Sequence, residues 1–150
     1  MPGTKAMLRL RLSPGIGCGA PERKSNDQGI MQNVTGIGGL FFRAEDPTAL
    51  GEWYKANLGI DLVPADYSQK SWSQEAGPTV FAPFPKESDY FGNTEKNWMI
   101  NFRVRNLDAM VEQFRAAKID VSVDPEIYPN GRFARLHDPE GNPIELWEPK

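Results

Sequence analysis

The sequence has few of the residues that crosslink small proteins or hold metals. It contains 150 residues but a single cysteine, Cys18, and a single histidine, His137. One cysteine excludes an intramolecular disulfide framework and is typical of proteins in a reducing compartment, so we expect a cytoplasmic protein. A chain of this length buries roughly 70% of its unfolded surface, and it therefore folds without such crosslinks.

Long hydrophobic runs and strong charge are missing as well. No apolar stretch reaches the roughly 20 residues that a transmembrane helix needs. The formal net charge is −3, and the sequence contains no block of basic residues. Binding to nucleic acid usually requires a concentrated positive surface. We therefore expect neither a membrane nor a nucleic acid among the partners of this protein.

Residues 1–30 differ from the rest of the chain. They contain glycine, proline and charged residues without a sustained hydrophobic period. Such a composition buries too little apolar surface to offset the entropy lost when a chain becomes ordered. We expect residues 1–30 to form a disordered N-terminal extension and residues 31–150 to form a single domain. Either Met1 or Met31 can be the natural start.

Two stretches sixty residues apart repeat one pattern. FRAEDPTALGEWYKA, which begins at Phe42, matches FRVRNLDAMVEQFRA, which begins at Phe102. In each copy an apolar strand precedes a typical helix N-cap, Asp46 or Asn106, and the first helix should end at Gly59. The hydrophobic pattern predicts one strand, one helix and three further strands in each half. The predicted strands are residues 36–43, 60–63, 70–75 and 78–83 in the first half, and residues 97–104, 119–123, 131–137 and 143–148 in the second.

The repeat resembles a known superfamily. GIGGLFFRAEDPTALGEWYKANLGI, FRVRNLDAMVEQFRAAKIDV and GRFARLHDPEGNPIELWEP are similar to segments of the glyoxalase/bleomycin-resistance/dioxygenase superfamily, also called vicinal oxygen chelate (VOC) proteins. The resemblance implies an α+β fold with two βαβββ modules, about residues 34–83 and 97–149, joined by a linker at 84–96. The modules would curl into a cup-shaped eight-stranded mixed sheet with the helices outside. The resemblance also implies a ligand inside the cup and, frequently, a homodimer.

Metalloenzymes of this superfamily hold a divalent metal in the cup. The resemblance maps their four ligand positions onto Gly39, Met99, Glu145 and, approximately, Thr79. Glycine has no side chain, and a methionine thioether is a soft ligand that does not suit zinc, iron, manganese or magnesium. His137 abuts the DPEGN turn and lies outside the mapped positions. We therefore expect no metal and no cofactor.

Strand alternation indicates which side chains would share the cup. Residues two apart on a strand face the same side, so the inward set is determined by Gly39, Met99 and Glu145. Glu145 is the candidate catalytic residue. The candidate ligand-binding residues are Phe41, Arg43, Thr79, Phe81, Met99, Asn101, Arg103 and Trp147. Arg132 and Arg135 can either line the rim of the cup or be solvated, and we expect them to be solvated.

These side chains predict a mixed pocket that suits a small organic molecule, aromatic or anionic. The first hypothesis is a metal-free protein that binds such a compound. The second is an enzyme that uses Glu145, as a glyoxalase-like lyase, an isomerase or a dioxygenase, with or without a metal. The third is a protein whose site has decayed and which acts by association. Independently of these, Glu145 and either Arg103 or Arg43 can form a buried structural salt bridge with no ligand.

We predict that deletion of residues 1–30 leaves the fold intact, because this composition contributes little buried apolar surface. The melting temperature of the truncated chain, followed by circular dichroism, should stay within a few degrees of that of the full chain. A larger decrease would mean that the extension packs against the domain.

Overall fold

The structure, a computed structural model, describes residues 32–92 and 95–150. The chain divides into two compact units, Met1–Phe42 and Arg43–Lys150. The expected extension at residues 1–30 lies outside the described residues. Residues 32–42 of the first unit contain no helix or strand and are exposed. The regular structure of the described residues therefore belongs to the second unit.

Helix α1 spans Pro47–Leu58 and has both of the predicted ends. The side chain of Asp46 accepts hydrogen bonds from the backbone N–H groups of Thr48 and Ala49, at 3.1 and 3.0 Å. Pro47 at the first helical position does not destabilise the helix, because a backbone N–H at that position would have no hydrogen-bond partner within the helix. Gly59 ends the helix in the left-handed conformation, with φ 68°, which glycine adopts without strain.

Helix α2 spans Leu107–Ala116 and is the counterpart of α1 in the second half. Asn106 caps it as predicted, because its side chain accepts a hydrogen bond from the N–H of Ala109 at 2.9 Å. The residues that α2 buries lie on one face and are Leu107, Val111 and Phe114. In the described part of the chain, no helix is both long and apolar enough to span a membrane.

Four strands form one mixed sheet. They are β1 (Ile100–Arg103), β2 (Val121–Val123), β3 (Gly131–His137) and β4 (Pro143–Pro149). The order across the sheet is β1-β4-β3-β2. Strand β4 pairs in parallel with β1 and antiparallel with β3, while β2 pairs antiparallel with β3. The chain is therefore an α+β protein with two helices and a four-stranded mixed sheet among its described residues. Strand β4 is one of the two central strands of that sheet.

The strands predicted for the first half are not formed. Residues 36–43, 60–63, 70–75 and 78–83 contain no strand, and most of their side chains are exposed. Val63, for example, is 91% exposed and Val80 is 66% exposed. An apolar pattern identifies a segment that can form a strand, but the strand exists only where a neighbouring backbone completes its hydrogen bonds. The repeat in sequence therefore appears in the two helices and not in two equal sheets.

The core lies between the helices and one face of the sheet. Ile144 and Leu146 of β4 are 0% exposed and belong to one buried cluster with Leu107 and Phe114 of α2. Leu50 belongs to the same cluster and brings in α1. Burial of a large aliphatic or aromatic side chain contributes roughly 1.5–3 kcal/mol, so this cluster fixes the face of β4 that points inward.

A buried hydrogen-bond network joins α1 to the turn between β3 and β4. Asp138 is 4% exposed, and its Oδ2 accepts a hydrogen bond from the Tyr54 hydroxyl at 2.9 Å. Its Oδ1 accepts from the backbone N–H groups of Glu140 and Asn142, each at 2.9 Å. Burial, and then the bond to Asp138, raise the pKa of the Tyr54 phenol far above its usual value. The hydroxyl therefore stays protonated and remains a donor.

We predict that Tyr54→Phe lowers the free energy of unfolding by about 1–3 kcal/mol, because the buried Asp138 carboxylate loses a donor. Urea denaturation of the variant measures the change. Tyr67→Phe is the matched control, since Tyr67 is fully exposed, and it should change stability by less than about 0.5 kcal/mol. Equal effects of the two substitutions would contradict the assigned role of Tyr54.

Candidate functional site

The face of the sheet opposite the core carries the chemically active side chains. Because Ile144 and Leu146 point into the core, the intervening Glu145 and the following Trp147 lie on the other face of β4. The strand register sets their neighbours. Asn101 of β1 and Arg135 of β3 flank Glu145, and we call these three residues the polar row.

Glu145 is the centre of the polar row and is 5% exposed. Its Oε2 accepts a hydrogen bond from Asn101 Nδ2 at 2.7 Å. Its Oε1 accepts one from the hydroxyl of Tyr90 at 2.9 Å, and Nε and Nη2 of Arg135 each donate to it at 3.3 Å. A buried carboxylate is costly unless charge and hydrogen bonds compensate it, and here both oxygens are compensated.

Tyr90 reaches the polar row from outside the sheet. It belongs to residues 84–92, which we call the linker arm and which contain turns but no helix or strand. The guanidinium carbon of Arg135 lies 4.0 Å from the centre of the Tyr90 ring, a cation–π contact. Phe84 stacks on Tyr90, with ring centres 4.9 Å apart. Burial, and then the negative charge of Glu145, raise the pKa of the Tyr90 phenol, so its hydroxyl acts as a donor.

A second set of neighbours lies one step further along the same face. The register pairs Trp147 with Arg103 on one side and with Phe133 on the other, and we call these three residues the aromatic row. The rings of Phe133 and Trp147 are parallel within 5°, with centres 6.3 Å apart. Trp147 Nε1 donates to the backbone oxygen of Asn130 at 2.8 Å, which fixes the indole ring. Arg103 Nη2 donates to the backbone oxygen of Glu75 at 2.7 Å.

A small cleft lies beside Tyr90. Met99, immediately before β1, lines it, and so does His137 at the end of β3. Among the described residues, its lining is Tyr90, Phe91, Gly92, Met99, Arg135, Leu136, His137, Pro143 and Ile144. The cleft therefore has one wall from the linker arm and one from the sheet.

The structure brings together only part of the set of candidate residues. Asn101, Arg103, Glu145 and Trp147 share one face of the sheet, and Met99 lines the cleft beside them. The candidates from the first half are exposed. They are Arg43 and Thr79, together with Phe81 at 88% exposure, and Phe41 of the first unit at 94%.

The expected ion-pair partner of Glu145 is wrong. The ion-pair partner of Glu145 is Arg135, at 3.3 Å, and not Arg103 or Arg43. The Arg135 side chain is 44% exposed, as expected of a solvated arginine, but the antiparallel register across the turn also places it directly opposite Glu145. Alternation could have found it, because Ala134 and Leu136 on either side are buried in the core. Arg132 lies on the helix side and pairs with Asp108 at 2.6 Å.

Sequence reasoning also missed Tyr90, for a different reason. The linker arm has no hydrophobic period, so no pattern assigns its side chains to a face. Its position depends on contacts with residues about fifty positions away, such as Glu145. No local signal in the sequence reports contacts of that kind.

The residues at the mapped metal positions do not fit a divalent metal. Gly39 and Met99 offer no hard ligand, and Thr79 is exposed on a segment without regular structure. Both carboxylate oxygens of Glu145 already accept hydrogen bonds. Within residues 32–92 and 95–150, no group of three or more His, Cys, Asp or Glu side chains could hold a metal ion. A catalytic zinc site normally has three protein ligands.

We predict that the purified protein contains well under one equivalent of divalent metal, since one carboxylate is too few ligands to retain a transition metal. Elemental analysis by mass spectrometry after extensive dialysis measures the ratio directly. A ratio near one that disappears in Glu145→Ala would contradict this prediction and restore a metalloenzyme.

Several solved structures resemble this chain. The antibiotic-binding protein TnmS3 from Streptomyces sp. CB03234 is 20% identical, with a TM-score of 0.53 over 80% of this chain and 100% of that one. A glyoxalase/dioxygenase from Nostoc punctiforme is 18% identical, with a TM-score of 0.51 over 85% of this chain and 99% of that one. At these identities the likeness establishes the fold.

A shorter match is closer in sequence. A glyoxalase/bleomycin resistance protein from Streptomyces sp. CB03234 is 31% identical, but the match covers 33% of this chain and 42% of that one, with a TM-score of 0.30. No protein of curated function matches the chain significantly. The sequence pattern of the glyoxalase-like domain matches residues 39–147, which is most of the chain. The protein therefore belongs to the glyoxalase-like domain family.

Proposed function

We propose that this protein binds a small aromatic compound carrying an anionic group, on the face of the sheet formed by β1, β4 and β3. The observation that carries the proposal is the pair of adjacent rows, one polar and centred on Glu145, the other built from Arg103, Trp147 and Phe133. Binding sites for small molecules combine apolar walls with a few oriented polar groups, and these two rows supply both.

The charges on this face favour an anionic ligand. Arg135 offsets the charge of Glu145, because the two form an ion pair. Arg103 donates to the backbone oxygen of Glu75, which is neutral, so this contact does not offset its charge. The two rows together therefore carry a net charge of +1, because they contain Arg103, Arg135 and Glu145. A guanidinium recognises a carboxylate or phenolate through charge-assisted hydrogen bonds.

The aromatic row supplies contacts for an aromatic ring, mainly through the half-buried Phe133, because Trp147 is 9% exposed. Phe133 and Trp147 are parallel, and the bond from Trp147 to Asn130 holds the indole in place. A fixed aromatic wall costs little entropy when a ligand stacks against it. TnmS3, whose fold is similar, is an antibiotic-binding protein, which supports a binding function for this fold.

The arrangement favours binding over catalysis by Glu145. A general base must reach the proton that it removes within hydrogen-bond distance, and donors already bound to its oxygens compete with that proton. Both oxygens of Glu145 accept hydrogen bonds from Tyr90, Asn101 and Arg135. The alternative of a glyoxalase-like lyase, isomerase or dioxygenase that uses Glu145 therefore has less support.

We extend the proposal to the first half of the chain. There, residues 34–83, which contain helix α1 and no strand in the structure, would form the first module of an eight-stranded cup, with Arg43, Thr79 and Phe81 as further ligand contacts. The internal repeat supports this arrangement, and so does the likeness to TnmS3, which covers 80% of the chain. A homodimer remains a prediction from the family resemblance, and a cytoplasmic location remains a prediction from the single cysteine.

We predict that Arg103→Ala weakens binding of an anionic aromatic ligand about ten- to a hundredfold, since a hydrogen bond to a charged group is worth roughly 1.5–3 kcal/mol. Ligands would come from a thermal-shift screen of aromatic carboxylates, phenols and antibiotics, with affinities from calorimetry. Arg105→Ala is the matched control, because Arg105 is 84% exposed and pairs with Glu75 at the surface.

The control should bind the selected ligand within about twofold of the unchanged protein, a difference under 0.5 kcal/mol. If ligands are found and none of them distinguishes Arg103→Ala from Arg105→Ala, the binding face has been misplaced. If the screen finds no anionic aromatic ligand at all, the proposed function is wrong.

A further inference from the structure

We propose that Tyr90 is a built-in occupant of the binding site, and that the ligand is a hydroxyaryl compound whose ring and hydroxyl replace those of Tyr90. The inference rests on the proposed function and adds both the hydroxyl group and the mode of regulation. The inference is based on the contacts of the Tyr90 phenol with Arg135, Glu145 and Phe84. A bound aromatic ligand would make the same contacts.

Each of these contacts recognises a chemical group that is not particular to tyrosine. The Arg135 guanidinium lies 4.0 Å from the ring centre, a position that suits any electron-rich aromatic ring. Phe84 stacks on the ring with an interplanar angle of 23°. Oε1 of the buried Glu145 accepts the hydroxyl hydrogen at 2.9 Å. Together the three contacts select a planar aromatic ring that bears a hydroxyl.

The attachment of Tyr90 to the sheet permits its side chain to leave while the rest of the linker arm, including Phe84, stays in place. The arm's own hydrogen bonds are local, from Ser88 N to Pro85 O and from Gly92 N to Asp89 O, both at 2.9 Å. Among the described residues, the hydrogen bonds that join the arm to the sheet both involve Tyr90, through its hydroxyl and through its backbone oxygen, which accepts from Arg135. Displacement of this one residue therefore breaks no helix or strand.

The hydroxyl matters because Glu145 is buried. If a ring without a hydroxyl displaced Tyr90, Oε1 of Glu145 would lose its shortest hydrogen bond and keep only the two longer ones from Arg135, which weakens binding of that ring. A ring with a hydroxyl restores the bond. The site should therefore discriminate between an aryl compound and its hydroxylated counterpart, and Glu145 is the residue that sets this specificity.

The second anchor of such a ligand lies at a suitable distance. Asn101 and Glu145 are paired in register, and Arg103 and Trp147 are paired two residues further along. Two residues of a strand span about 7 Å, close to the length of a one- or two-ring aromatic compound. A ligand with a hydroxyl at one end and a carboxylate at the other would contact Glu145 and Arg103 at the same time.

Occupancy by Tyr90 lowers the apparent affinity for a ligand. Only the fraction of molecules with Tyr90 displaced is competent to bind, and the apparent dissociation constant rises in inverse proportion to that fraction. Removal of the Tyr90 phenol should therefore tighten ligand binding. If Tyr90 were instead a residue that contacts the bound ligand, its removal would weaken binding.

The test compares two probes, 6-hydroxy-2-naphthoate and 2-naphthoate, which differ by one hydroxyl. Tyr90→Ala should bind 6-hydroxy-2-naphthoate about tenfold tighter than the unchanged protein does, as expected if Tyr90 occupies the site about nine-tenths of the time. It should also prefer that probe to 2-naphthoate by about tenfold, and Glu145→Gln in the same background should reduce the preference to about threefold or less. Tyr67→Ala, at a fully exposed tyrosine, should leave both affinities unchanged.

A second measurement keeps a tyrosine at position 90 and adds only a fluorine label. It therefore does not depend on the stability of Tyr90→Ala. With 3-fluorotyrosine at position 90, saturation with 6-hydroxy-2-naphthoate should shift the fluorine resonance toward that of the same label at the exposed Tyr67 position.

Three outcomes would overturn the inference: weaker or equal binding in Tyr90→Ala, no preference for the hydroxylated probe, or a fluorine resonance that stays in place when the probe is bound. None of these outcomes concerns the loss of affinity for an anionic aromatic ligand that is expected in Arg103→Ala. That loss tests the proposed function separately.

Discussion

The two-residue alternation along β4 is the constraint on which the rest of the structure depends. Ile144 and Leu146 are fully buried against the helices, and this fixes Glu145 and Trp147 on the opposite face. A shift of one residue would expose the two aliphatic side chains and bury a carboxylate among them. The packing energy of the core therefore also holds the functional side chains in place, and β4 serves both the fold and the site.

The buried carboxylate of Glu145 organises the site in turn. A charge at 5% exposure must be compensated, and three different elements supply the donors: Asn101 from β1, Arg135 from β3 and Tyr90 from the linker arm. Two of these donors belong to the sheet and are fixed by strand register, while the third lies on a segment without regular structure. The cluster therefore combines a rigid base with one replaceable contact.

The sequence alone predicted the features that depend on local chemistry. Asp46, Asn106 and Gly59 are cap residues whose side chains or backbone freedom act within three or four positions, and both helices have the predicted caps. Strands β3 and β4 were predicted because a hairpin with a strong turn places its partners close in sequence. Alternation on β4 likewise placed Glu145 and Trp147 on the face away from the core.

Tertiary contacts decided everything that requires a distant partner. The apolar segments of the first half have strand-like patterns, yet among the described residues none of them is a strand, because pairing depends on a neighbouring backbone and not on the pattern itself. The partner of Glu145 proved to be Arg135, which strand register chose, and Tyr90 joined them across more than fifty residues of sequence. Caps and periodicity act over a few residues and can be recognised in sequence, whereas the partners of a buried charge are set by register and packing across the whole sheet.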